Sequence, residues 1–121
     1  MTKKILLIED DPSMVKIIQS LIKQLGFEFD VATDGLEGLQ KARSLNPDLI
    51  ILDIMLPKLD GYKISRFLKF DEQYQHIPII MLTAKSDQKD QTTGKATGAN
   101  AYITKPFNKQ ELIKTINDFI A

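Results

Sequence analysis

The chain contains no cysteine, which excludes disulfides and thiolate metal sites and fits a cytoplasmic protein. It also lacks net charge, because sixteen basic and sixteen acidic residues cancel. Without a basic excess, no direct nucleic-acid partner is expected. No apolar stretch approaches the roughly 20 residues that span a bilayer, and Ile5 to Ile8 is too short for a signal-peptide core, so no membrane association is expected. Internal repeats and low-complexity segments are absent. The single histidine, His76, stands before Pro78 with no second histidine or cysteine nearby, and is expected on the surface rather than on a metal. Gly94-Lys95 matches only part of a phosphate-loop pattern: Lys89 and Ala96 occupy the places of a required glycine and Ser/Thr.

What the chain does have is alternation. At 121 residues, 43% hydrophobic and 26% charged, it reads as one domain over 1–121, long enough to bury about two-thirds of its unfolded surface. Residues 4–9 read as a buried strand. Asp11 is a good N-cap with Pro12 at the first helical position. Apolar residues from Met14 to Leu25 then follow a 3.6-residue period, and Gly26 supplies the stop. A short strand over 28–32 precedes a helix that opens at Asp34-Gly35 and ends near Asn46-Pro47. A strand over 49–53 and a helix from Asp60-Gly61 to about Phe70 follow. Pro78 precedes a strand over 79–83. Ser86 can cap a helix over 87–97, closed by Gly98. A strand over 100–103 leads to a last helix, for which Asn108 and Glu111 make a capping box.

Five such β–α units imply an α/β fold, with a parallel sheet covered by helices on both faces. The flavodoxin-like (βα)5 doubly wound arrangement, strand order 2-1-3-4-5, suits this size. In that order strands 1 and 3 are neighbours, and ligands bind outside the carboxyl ends of the strands. Strand 1 ends in Glu9-Asp10 and strand 3 in Asp53. Thr83 ends the fourth strand, and Lys105 lies just past the fifth. All these polar groups can converge.

A carboxylate ending a buried strand is costly unless something there needs it. Three of them repel, so some hold protons unless a cation joins them. Lys105 and one divalent ion would balance Glu9, Asp10 and Asp53. Hard oxygen ligands without histidine or cysteine favour magnesium. The expected chemistry is therefore phosphoryl transfer to Asp53 as nucleophile. Asp10 and Asp53 are expected on Mg2+, Glu9 directly or through water, and the Met55 backbone carbonyl as a further oxygen. Lys105, the Thr83 hydroxyl and the Ala84 amide would hold the phosphoryl oxygens. Asp11 is a third acid in the loop, read as the helix cap.

Taken in order, Glu9-Asp10, Asp53 with Leu56-Pro57 and Asp60-Gly61, Thr83-Ala84, and Lys105-Pro106-Phe107 resemble the receiver domain of two-component response regulators, over essentially the whole chain. The acidic pair is Glu-Asp where Asp-Asp is commoner. The resemblance implies phosphorylation of Asp53 from a phosphohistidine on a histidine kinase or phosphotransfer protein, and a cis Lys105–Pro106 bond. It implies a switch coupling Thr83 to Tyr102, read out on the face of the helix over 87–97, the fifth strand and the last helix, with phosphorylation-dependent dimerisation of an otherwise monomeric protein on that face. It places phosphodonor contacts on the first helix, where Met14 and Ile17 exceed one buried stripe. A downstream effector, or an output domain outside this sequence, would receive the signal. No enzymatic activity is expected beyond the domain's own phosphorylation and dephosphorylation. Polar residues that orient an attacking water often stand two positions after the aspartate and after the threonine in this family. Here these are Met55 and Lys85, so slow dephosphorylation is expected. The stretch Asp90–Thr97, with Gly94, holds poor helix formers and predicts a helix of low local stability.

Other functions fit less well. An aspartate-nucleophile phosphatase needs a second aspartate where Met55 stands. A flavodoxin-type carrier needs a Ser/Thr-rich phosphate loop where Glu9-Asp10-Asp11 would repel a phosphate. A receiver-like binding module acting without phosphorylation would lack Asp53 or Lys105.

Overall fold

The computed structural model describes residues 2–56, 58, 60–84 and 98–120. In chain order the elements are β1 (Lys4–Ile8), α1 (Pro12–Gln24), β2 (Glu28–Ala32), α2 (Gly35–Leu45), β3 (Leu49–Asp53), α3 (Gly61–Lys69), β4 (Ile79–Ala84), β5 (Ala101–Lys105) and α4 (Lys109–Ile120). The strands form one parallel sheet in the order β2-β1-β3-β4-β5. The flavodoxin-like architecture is therefore present. The helix expected over 87–97, its Ser86 cap, and Lys85 and Pro57 lie outside the described residues.

Side chains on successive strand residues point to opposite faces, and both faces here are apolar. Ile5, Leu7, Leu49, Ile51, Ile80 and Leu82 pack with Ile18, Leu21 and Ile22 of α1 and Leu112 and Ile116 of α4. Leu6, Ile8, Ile50, Leu52, Ile79 and Met81 pack with Ala42 of α2 and Ile64 and Leu68 of α3. The three central strands thus read as continuous apolar runs because each is covered twice.

Side-chain caps set the helix starts. Asp11 accepts from the Ser13 amide at 3.0 Å, Asp34 from Glu37 at 2.9 Å, Asp60 from Lys63 at 3.0 Å and Asn108 from Glu111 at 2.7 Å. Each satisfies a backbone donor that has no partner within the helix. Gly26 and Asn46, at φ 86° and 48°, end α1 and α2 in the left-handed region.

Three strand limits differ from the sequence expectation. β1 stops at Ile8, and Glu9 lies one residue past it, although its amide still donates to the Ala32 carbonyl at 2.9 Å. β4 runs one residue further, to Ala84. β5 covers Ala101–Lys105 rather than 100–103. Thr104 and Lys105 look like loop residues by composition, but they pair with Thr83 and Ala84, so the neighbouring strand carries β5 onward. Lys105 is the last residue of a strand, not a loop residue beyond one.

Candidate functional site

Asp53 ends β3 and is buried. Its Oδ1 accepts from the Met55 amide at 3.2 Å and its Oδ2 from Lys105 Nζ at 3.0 Å. The β3–β4–β5 order brings Lys105 there, two strands across the sheet from Asp53. Glu9, just past β1, is fully buried, and its Oε2 accepts from the amides of Asp10 at 3.0 Å and Asp11 at 3.3 Å. Its Oε1 has no hydrogen-bond partner among the described residues, and Lys105 Nζ stands 3.6 Å away, beyond a hydrogen bond. Asp10 is exposed at the rim. Carboxylate oxygens of Glu9, Asp10 and Asp53 lie within 4.8 Å of one another.

The electrostatics follow from this crowding. Burial, then the neighbouring Asp53 carboxylate, push the Glu9 carboxyl up to about 8, against the pull of Lys105 and the Asp11 amide. In the metal-free protein this crowding favours the protonated form of Glu9. Burial works to lower Lys105, but its hydrogen bond to Asp53 and the charges of Asp53 and Glu9 outweigh this and hold it above the usual lysine range.

Thr83 is buried in β4, one residue past the partner of Asp53 and in register with Thr104. Ala84 ends the same strand, in register with Lys105. The Lys105–Pro106 peptide bond is cis. Tyr102, in register with Met81, is half-buried against the α2–α3 side of the core. Its hydroxyl is covered and has no hydrogen-bond partner among the described residues, and burial pushes the phenol up. Met55 is 75% exposed, and with Asp10, Ile54, Leu56 and Asp60 it borders an open cleft beside Asp53. Met14 and Ile17 lie apart from this cluster on α1. Met14 packs against the core, whereas Ile17 is 48% exposed.

Gly61 holds a role that its place in a helix-start motif did not reveal. Its amide donates to the Ile54 carbonyl at 3.0 Å. A Cβ there would sit 2.5 Å from the Asp53 carbonyl oxygen and 2.8 Å from Ile54 Cα. The glycine lets α3 start against the backbone that carries Asp53. Asp11, the third acid of the loop, turns its side chain onto Ser13 as a cap while its amide supports Glu9.

Residues 5–117 match the response regulator receiver domain family. The chain belongs to that family. It is 38% identical over 120 residues to the polar-differentiation response regulator DivK of Brucella ovis, covering 99% of this chain and 98% of that protein. It is 44% identical over 112 residues to the alkaline phosphatase synthesis transcriptional regulatory protein PhoP of Bacillus subtilis, covering 93% of this chain but 46% of PhoP. The receiver thus spans about half of PhoP and nearly all of DivK. Among solved structures, a response regulator from Chloroflexus aurantiacus superposes with a TM-score of 0.94 at 31% identity, over 99% of this chain and 98% of that one. The receiver domain of the sensor histidine kinase PA1611 from Pseudomonas aeruginosa superposes with a TM-score of 0.90 at 33% identity, over 99% of this chain and 98% of that one, and has a magnesium ion coordinated in its active-site cleft. Response regulator receivers interact with histidine kinases and effectors.

The residues present fit such an ion. Glu9 Oε1 is a buried oxygen without a donor among the described residues, and the three carboxylates form a hard, oxygen-only set. No helix among the described residues is long and apolar enough to cross a membrane.

Proposed function

We propose that the receiver accepts a phosphoryl group on Asp53 from the phosphohistidine of a histidine kinase or phosphotransfer protein. The observation that carries this reading is the buried Asp53 carboxylate held between the Met55 amide and Lys105, with oxygens of Glu9 and Asp10 gathered beside it. A carboxylate oxygen of Asp53 attacks phosphorus. The phosphorus–nitrogen bond breaks, and the donor imidazole leaves with the electron pair. Transfer of this kind is chiefly positioning and charge stabilisation.

Asp10, Asp53, the Met55 carbonyl and Glu9, directly or through water, would hold magnesium. When bound, the ion supplies positive charge against the oxygens of the incoming group. Lys105, now on Asp53 Oδ2, moves onto a phosphoryl oxygen, and the Thr83 hydroxyl and Ala84 amide donate to the others. The displaced Thr83 changes the space beside Tyr102, which biases the face of β5 and α4. A downstream effector, or an output domain outside this sequence, reads that face, and phosphorylation-dependent pairing of copies uses it. Ile17 and Met14 on α1 meet the phosphodonor. The domain works in the cytoplasm, makes no direct contact with nucleic acid, and catalyses no reaction on other substrates.

Incubation with a phosphorylated histidine phosphotransfer protein and magnesium tests this. Label should pass to the wild type and not to Asp53→Asn, and hydroxylamine should remove it, as it removes an acyl phosphate. Transfer to Asp53→Asn at the wild-type rate would defeat the assignment.

A further inference from the structure

The helices run back from the site edge of the sheet, so the last turns of α2 and α3 lie at the opposite edge. Lys69, at the end of α3, marks the place by donating to the carbonyls of Gln75 at 3.1 Å and Ile77 at 2.6 Å, just before β4 begins. At this end Arg43, Arg66, Phe67, Phe70, Asp71 and Glu72 border one open cleft of about 730 Å³. Phe67 is 51% and Phe70 71% exposed, while Ile64 and Leu68 of the same helix are buried. Two adjacent aromatic rings in water, set in a cleft, mark an interaction surface.

The charges around the rings choose the occupant. Two are positive and two negative, and none of the four has an ion-pair partner among the described residues. Asp71 Oδ1 only accepts the Gln73 amide, at 2.9 Å. A partner of one charge sign would leave like charges facing each other on one side. A two-fold interface sets the same patch against itself, so that the basic part of one copy meets the acidic part of the other. The chain's zero net charge leaves no overall repulsion between copies.

We propose that two copies of this chain associate through this cleft about a two-fold axis, with Phe67 and Phe70 at the centre and Arg43 and Arg66 of each copy against Asp71 and Glu72 of the other. The surface lies at the opposite edge of the sheet from Asp53. Pairing therefore leaves both phosphoacceptor sites open and does not depend on phosphorylation.

Sedimentation velocity over a concentration series tests the proposal, with circular dichroism as the folding control. The wild type and Asp53→Asn should dimerise alike without a phosphodonor. Phe67→Ser with Phe70→Ser, at positions half or more exposed, should weaken association by at least about tenfold. Arg43→Glu with Arg66→Glu makes the cleft acidic, and Glu72→Arg with Gln73→Arg makes it mainly basic. Each charge variant alone should be monomeric, and an equimolar mixture should pair again, with the pairing lost when both carry the two Phe→Ser changes. A wild type that stays monomeric at every concentration overturns the proposal. So does a dimer indifferent to the Phe→Ser pair, or a mixture that stays monomeric.

Discussion

Glu9 and Asp53 are both carboxylates at the ends of buried strands, yet their surroundings give them different work. Asp53 has a lysine and an amide on its two oxygens. Glu9 has amides on one oxygen, and no donor among the described residues reaches the other. Its carboxyl is raised from 4.5 to about 8. A raised carboxyl stabilises the fold in its protonated form. That contribution is complete below about 4.5 and is lost as pH rises through about 8. The metal-free protein should therefore lose thermal stability across this window, and magnesium, which takes the carboxylate form, should stabilise more strongly as pH rises. Glu9→Gln should flatten the metal-free slope; an unchanged slope in that variant would assign it elsewhere. Lys105→Met removes the ammonium that Asp53 shares with Glu9, and phosphotransfer should fall about a hundredfold, as for loss of one charge-stabilising donor. Met55 carries no group to orient a water. Met55→Asn should shorten the lifetime of the acyl phosphate, measured by phosphate release in magnesium. The common placement of Asp53, Asp10, Thr83 and Lys105 at one end of the sheet was legible in the sequence, because polar residues at or just past the ends of apolar runs stand out. That some of the acids would hold a proton was also foreseen; that Glu9 is the one was not, because the burial that chiefly raises it exists only in the packed structure.

Among the elements, α3 is the one whose position matters most to the site, because it begins against the backbone of Asp53. Gly61→Ala brings a methyl group within 2.5 Å of the Asp53 carbonyl oxygen, where only backbone can yield. It should cost about 1–3 kcal/mol of stability and slow phosphorylation, read by chemical denaturation and by phosphotransfer rate. Wild-type values for both would show that the backbone yields freely. The helix starts were readable because Asp11, Asp34, Asp60 and Asn108 are capping residues placed before apolar periods. The end of β5 was not readable. Thr104 and Lys105 become strand by pairing with β4, and composition holds no trace of a neighbour. For the same reason the motif Asp60-Gly61 announced a helix start but not the close approach that requires the glycine.

For the whole molecule, five alternating β–α units at this size pointed to the flavodoxin-like strand order, so the sheet and the gathering of the acids at its edge were foreseeable. The opposite edge was not. Phe67 and Phe70 stand in a helix that also carries buried Ile64 and Leu68, and only the packed structure separates the covered residues from the exposed ones. The molecule thus has a reacting edge, with buried charge, and an aromatic edge, with charges that have no ion-pair partner among the described residues. Phosphoacceptance belongs to the first. Its most direct test is intact mass after incubation with acetyl phosphate, with and without magnesium, on the wild type and Asp53→Asn. A gain of one phosphoryl group that requires magnesium and is absent from Asp53→Asn is the predicted result. No gain under any condition, or an equal gain in Asp53→Asn, would contradict the assignment of Asp53 as the phosphoacceptor.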